Sequence, residues 1–286
     1  MQRGDEGEHV GMVQRALMQL GFPLPRYGAD QQLGSETVEA FEQWYGVVSD
    51  TEFIEFTDEL PEDLVESLLD QYDHAKLEME IAFGQNIVDV RDEAWPGVEK
   101  GDNPIERIDT ICLHQMACKD SDSQGWERWR KLAIHFMVSC GDNAKAYLLH
   151  DLTKRVWHGH GWNRRSVGFE IEGYFSGIGV NPRYFWKPKG SNRVPMVPTE
   201  QQLAAACDAV RYTVEQIAVL GGEIKYIGAH RQSYATKESD PGELIWKGVA
   251  LPMMEELHLV EAPTLKRGSP IPEAWDPRNV GVPYRS

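Results

Sequence analysis

SVGFEIEGYF, residues 166–175, alternates apolar with small or acidic side chains at a period of two. In an extended chain Val167, Phe169 and Ile171 share one face, and Gly168, Glu170 and Glu172 share the other. A carboxylate on such a strand, flanked by apolar neighbours, has its pKa raised by desolvation, as acid/base catalysis requires. Glycine at 168 leaves room over that face for something bulky, such as substrate. Working outward, RIDTICLHQ (107–115), AKAYLLHD (144–151) and EIKYIGAH (223–230) also read as strands, and GWERWRKLAIHFMVS (125–139) mixes helix with strand. TEQQLAAACDAVRYTVEQIAVLGG (199–222) is a long amphipathic helix stopped by glycines, and ELIWKGVALPMMEEL (243–257) is a closing helix. Strands and helices interleaved in this way predict an α/β or α+β domain.

The composition is that of a globular chain. It has 286 residues, 41% hydrophobic and 26% charged, which is room for one large domain or two modest ones. No apolar run is long enough to cross a bilayer. The start, MQRGDEGEHVG, lacks the basic-then-apolar order of a secretory signal, so synthesis in the cytoplasm without a signal peptide is expected. The formal charge of −16 is concentrated at one end: residues 1–80 hold four basic and nineteen acidic side chains, and the remainder holds 25 against 26. That asymmetry predicts two units with different surfaces. With a pI near 5.0, nucleic acid is a poor partner. No membrane partner is expected either, and a monomer is. Cys112, Cys118, Cys140 and Cys207 form no CxxC pair and are read as reduced, with Cys112 packing as a small hydrophobe.

In the acidic first unit Val10, Val13, Ala16, Leu17 and Leu20 recur at helical spacing, and Gly21 follows as a stop. Ser35 is placed to cap a second helix carrying Val38, Phe41 and Trp44, with Gly46 at its end. The pieces RGDEGEHVGMVQRAL, GADQQLGSETVEAF and QWYGV resemble the three-helix peptidoglycan-binding module that accompanies cell-wall hydrolases. One departure is Gln31, which stands after Asp30 where that pattern has glycine. The expected organisation is a peptidoglycan-binding domain at 1–56, an acidic helical linker at 57–82 that either joins the units or completes the first, a main domain at 83–260 and an extended proline-rich tail at 261–286, anchored by Trp275.

The loop GAHRQSYATKESDPGE, residues 228–243, collects His230, Lys237 and Asp240 ahead of Pro241-Gly242. Metal-assisted hydrolysis needs three protein ligands and an open position for water. His230 and Asp240 converge if the loop folds back on itself. His114, at the end of Ile111-Cys112-Leu113, is the third candidate, since strand ends are where such domains place chemistry. Glu170 is the candidate base.

Taken in order, ICLHQMA, AIHFMVS, RVWHGHG, SVGFEIEG and GAHRQSYATKESDPG resemble the zinc-dependent N-acetylmuramoyl-L-alanine amidases. That group includes phage lysozyme-type amidases and animal peptidoglycan recognition proteins. The resemblance spans roughly Ile105 to Leu257 and implies a mixed sheet with flanking helices. By position it implies Zn²⁺ on His114, His230 and Asp240, Glu170 assisting the water, and Lys237 stabilising the oxyanion of the intermediate. It further implies hydrolysis of the amide between N-acetylmuramic acid and L-alanine of peptidoglycan, by an endolysin-like enzyme acting on the bacterial cell wall. His158, Trp157 and His135 are expected to contact substrate, His135 alternatively serving structure; His160 is expected to face solvent, and Glu172 to be a hydrogen-bonding neighbour. Two other readings stay open: a noncatalytic peptidoglycan-binding protein, and a zinc peptidase acting within the stem peptide. The presence of Asp240, Glu170 and Lys237 together favours the enzyme.

Overall fold

A computed structural model describes residues 1–22, 24, 26–49, 56, 59–82, 86–118, 125–185 and 192–284. The chain divides into two compact units, Met1–Gly84 with Gln216–Gly222, and Gln85–Glu215 with Glu223–Ser286. The boundaries expected from sequence at 56/57 and 82/83 fall beside residues 57, 58 and 83–85, which lie outside the described ones.

Among the described residues of its N-terminal part, the first unit forms three helices: α1 (Glu8–Gln19), α2 (Ser35–Ser49) and α3 (Glu62–Ala82). The helical-period residues Val13, Leu17, Phe41 and Trp44 form its core, with the Phe41 and Trp44 rings 5.0 Å apart. Of the 57–82 segment, read as either joining the units or completing the first, Leu60, Val65 and Leu68 pack into the same core, because its apolar stripe would otherwise face water. Gly46 does not end α2, which continues to Ser49; one helical glycine costs only about 1 kcal/mol. Gln31 adopts φ 65°, the left-handed conformation that suits the glycine it replaces. The buried Gln14 side chain holds it there, accepting from Gln31 N at 2.8 Å and donating to Asp30 Oδ1 and Thr37 Oγ1.

The second unit is a mixed seven-stranded sheet with helices packed on it. Its strands are β1 (Ile87–Asp89), β2 (Thr110–Gln115), β3 (Phe136–Val138), β4 (Ala146–Leu148), β5 (Ser166–Ile171), β6 (Tyr226–Ala229) and β7 (Val260–Glu261). The order is β1-β4-β3-β5-β2-β6-β7, and only β3–β4 is antiparallel. Helix α4 (Glu200–Val219) covers the face that carries Phe136 and Phe169, with Tyr212 edge-on to Phe136. Helix α5 runs through Glu243–Ile245, a π-helical Trp246–Ala250 and Leu251–Glu256. The proline-rich tail is extended but not loose: Ile271 and Trp275 are fully buried, and the Trp275 indole donates to Gly177 O.

Register is what positions the chemistry. β5, β2 and β6 are parallel neighbours, so their carboxyl ends meet along one edge of the sheet. His114 pairs with Glu170, and Leu113 pairs with Ala229, one residue before His230. Side chains level with one another on parallel strands share a face, which groups His114, Glu170 and His230. One layer below come Cys112, Gly168 and Gly228. The absence of a Cβ at those glycines is used: at Gly228 it would strike Trp162, and at Gly168 it would meet His158 Nδ1 at 2.4 Å. The space over Gly168, expected for substrate, is therefore taken by a side chain of the protein itself.

Candidate metal centre

His114 and His230 arrive by register, and Asp240 arrives because the loop after β6 folds back. Arg231 N donates to Asp240 O at 3.1 Å and Asp240 N to Lys237 O at 2.9 Å. The Asp240–Pro241 peptide is cis, and Gly242 follows at φ 104°. His114 Nδ1 lies 2.8 Å from His230 Nδ1, which lies 2.9 Å from Asp240 Oδ2. One ligand atom from each of the three falls within 4.8 Å of the others, and all three residues are buried. Asp240 is oriented by the backbone N–H of Gln115, which donates to Oδ1 at 2.8 Å. The Gln115 side chain also ties the loop down, donating to Phe175 O and Ser239 O and accepting from Phe175 N. Gln115 went unread in the sequence; its one signal was a polar residue directly after His114 at the end of an apolar strand.

The donor set suits a divalent ion. Two imidazole nitrogens and a carboxylate oxygen facing one another need a shared cation or proton, and N/N/O is a ligand set that zinc accepts. Glu170 adds independent support: its Oε2 is buried and has no hydrogen-bond partner. Burial pushes its carboxyl up to about 8, the Asp240 charge adding to the shift and Lys237 opposing it. Burial and then the His230 ring hold His114 well below the usual histidine range, so its ring is neutral and has a lone pair to offer. A cavity of about 260 Å³ opens onto this centre, lined among others by Gln115, Glu170, His230, Lys237 and Asp240. Lys237 is exposed at its rim.

The residues expected to touch substrate stand elsewhere. His135 is fully buried; Nε2 donates to Lys154 O at 2.8 Å and Nδ1 accepts from Gly168 N at 2.9 Å. With both nitrogens engaged it pins β5 to the 154 loop, which corrects its expected substrate contact. His158 is partly buried over Gly168, its Nδ1 2.9 Å from His114 Nε2, so it backs a candidate ligand and does not line the cavity. Trp157 is 68% exposed under the Lys100 ammonium and is likewise absent from the cavity lining. His160, expected to face solvent, is exposed but lies 3.0 Å from His230 Nε2 and stacks on Tyr234. Glu172 is buried, accepting from Cys140 N. Cys112 packs against Trp162 and Ala262, its thiol pushed up by burial.

His135 carries a stability prediction. Burial lowers its pKa from 6.5 to about 4, so between those values the unfolded chain binds a proton that the folded chain refuses. Stability should therefore fall as pH drops from 6.5 toward 4, by on the order of 3 kcal/mol from this group. Urea midpoints measured across that range check it; a His135→Gln variant should show a shallower slope.

The second unit is thus an α/β domain with a candidate three-residue metal centre at the carboxyl edge of a mixed sheet. Residues 104–243 match the model of the N-acetylmuramoyl-L-alanine amidase family. Similar solved structures include an endolysin N-acetylmuramoyl-L-alanine amidase from Clostridium intestinale (15% identity, 61% of this chain and 96% of that one, TM-score 0.40). Others are Drosophila peptidoglycan recognition protein SD (21%, 63% and 98%, 0.39) and Apis mellifera PGRP-SA (15%, 62% and 99%, 0.41). No curated protein matches the chain.

Proposed function

We propose that the chain is a zinc-dependent peptidoglycan amidase that cleaves the bond between the lactyl group of N-acetylmuramic acid and the L-alanine of the stem peptide. The observation that carries this reading is the convergence of His114, His230 and Asp240 beside the unpartnered Glu170 carboxyl, at a cavity within an amidase-family domain. Bound by those three residues, zinc would supply an acidified water and polarise the amide carbonyl. Glu170 takes the proton from the attacking water and passes it to the departing alanine nitrogen, for which a carboxyl titrating near neutrality is suited. Lys237, at the rim of the same cavity, stabilises the negative charge that develops on the carbonyl oxygen. The products are a free lactyl carboxylate and a stem peptide with a free alanine amine.

The three-helix unit fits a wall-binding role, holding the amidase domain at high effective concentration on an insoluble polymer. Such an enzyme acts on the bacterial cell wall, as an endolysin does. No described helix is long and apolar enough to cross a membrane.

Digestion of purified sacculi followed by mass analysis of the soluble products tests the proposal. Stem peptides beginning with alanine are expected. Cuts inside the peptide would move the protein to the peptidases, and tight binding without release would make it a recognition protein.

A further inference from the structure

Ser166 has one hydroxyl proton, and it is committed. The hydroxyl donates to Trp162 O at 2.9 Å, so toward His158 Nε2, 3.2 Å away, it serves as acceptor. His158 Nε2 therefore carries hydrogen, and in the neutral ring Nδ1 is the acceptor. That nitrogen lies 2.9 Å from His114 Nε2, which must donate to it. The consequence passes along the chain: with its proton on Nε2, His114 presents the Nδ1 lone pair to His230 and Asp240. One serine thus sets the tautomer of a residue 52 positions before it in the sequence.

The second candidate histidine is supported from the same short segment. His230 Nε2 lies 3.0 Å from His160 Nδ1, while His230 Nδ1 faces His114 and Asp240. The His160 ring lies parallel to Tyr234, at 4.4 Å and 4°, and its backbone adopts φ 52°, an uncommon conformation for a non-glycine residue. Asn163 holds the segment in place, its Oδ1 accepting from the backbone N–H groups of His158 and Gly159. Gly168 leaves the volume that the His158 ring fills.

We propose that His158-Gly159-His160 is the outer support of the metal centre, His158 positioning His114 and His160 positioning His230, each in the tautomer that turns Nδ1 toward the ion. This rests on the metal-centre reading above and assigns to two residues a role other than substrate contact or solvent exposure. Outer partners of this kind orient a ligand and raise its basicity, and their loss costs about 10- to 100-fold in metal affinity.

The test is zinc affinity of the full chain, by competition with a chromophoric chelator, together with the visible spectrum of the cobalt-substituted protein. His158→Leu and His160→Leu should each weaken zinc binding about 10- to 100-fold and alter the cobalt bands. His158→Asn and His160→Asn, whose amide oxygen can take the place of Nδ1 as acceptor, should recover much of that loss. Because His160 is exposed, its replacement leaves the core alone, and that arm remains decisive even where a His158 variant fails to fold. Zinc binding that is lost in His230→Ala but intact in both leucine variants, with only KM raised, would overturn this inference alone. Wild-type protein that bound no zinc would overturn the metal-centre reading and this inference with it.

Discussion

His230→Ala is expected to leave purified protein with only trace zinc and no measurable release of stem peptide. His230 Nδ1 is within 3 Å of both His114 Nδ1 and Asp240 Oδ2, so the substitution removes the member of the set that touches the other two. Two donors remain where three are needed, and the Asp240 carboxylate keeps only its bond from Gln115 N. The loss should exceed the roughly 10- to 100-fold that follows removal of an outer partner. Wild-type protein stripped by a chelator should behave in the same way and regain activity on addition of zinc. Metal content by elemental analysis and product release from sacculi are the two measurements. Full activity in metal-free protein would remove the basis of the proposed reaction.

Glu170→Gln separates chemistry from metal binding. Glutamine matches the shape of glutamate but cannot accept a proton, and Glu170 is not one of the three residues that would hold the ion. Zinc content should therefore be unchanged, while turnover falls on the order of 10²- to 10⁴-fold with KM little altered. The buried, unpartnered Oε2 also predicts that the substitution leaves the fold intact, because no hydrogen bond within the protein is broken. Thermal unfolding of the variant checks that point. Turnover equal to wild type would place the base elsewhere, with Glu172 excluded by its burial and its bond from Cys140 N.

Much of the fold was legible because its signals are local. The period-two run 166–171 and the apolar run at 110–115 became β5 and β2, and the amphipathic stretch 200–219 became α4. The residue types at 114, 170, 230 and 240 could be picked out because few side chains bind metal or move protons, and these stand at strand ends or on one loop. Other readings turned on contacts that sequence does not show. An acidic helix looks the same in sequence whether it spans two units or completes one, so both readings stood there, and the burial of Leu60, Val65 and Leu68 favours the second. Gly168 looked like space for a ligand, but a missing side chain does not say what fills the gap, and His158 does.

By its sequence alone the protein determined its strands, its long helix and the chemical kinds of side chain available to its site, since spacing and residue type are properties of neighbouring positions. Only the tertiary structure decided which histidines meet one another, which face inward and which nitrogen each turns to the centre. Those depend on how β5, β2 and β6 are aligned and on where a single serine proton is spent, and both are contacts between residues far apart in the chain.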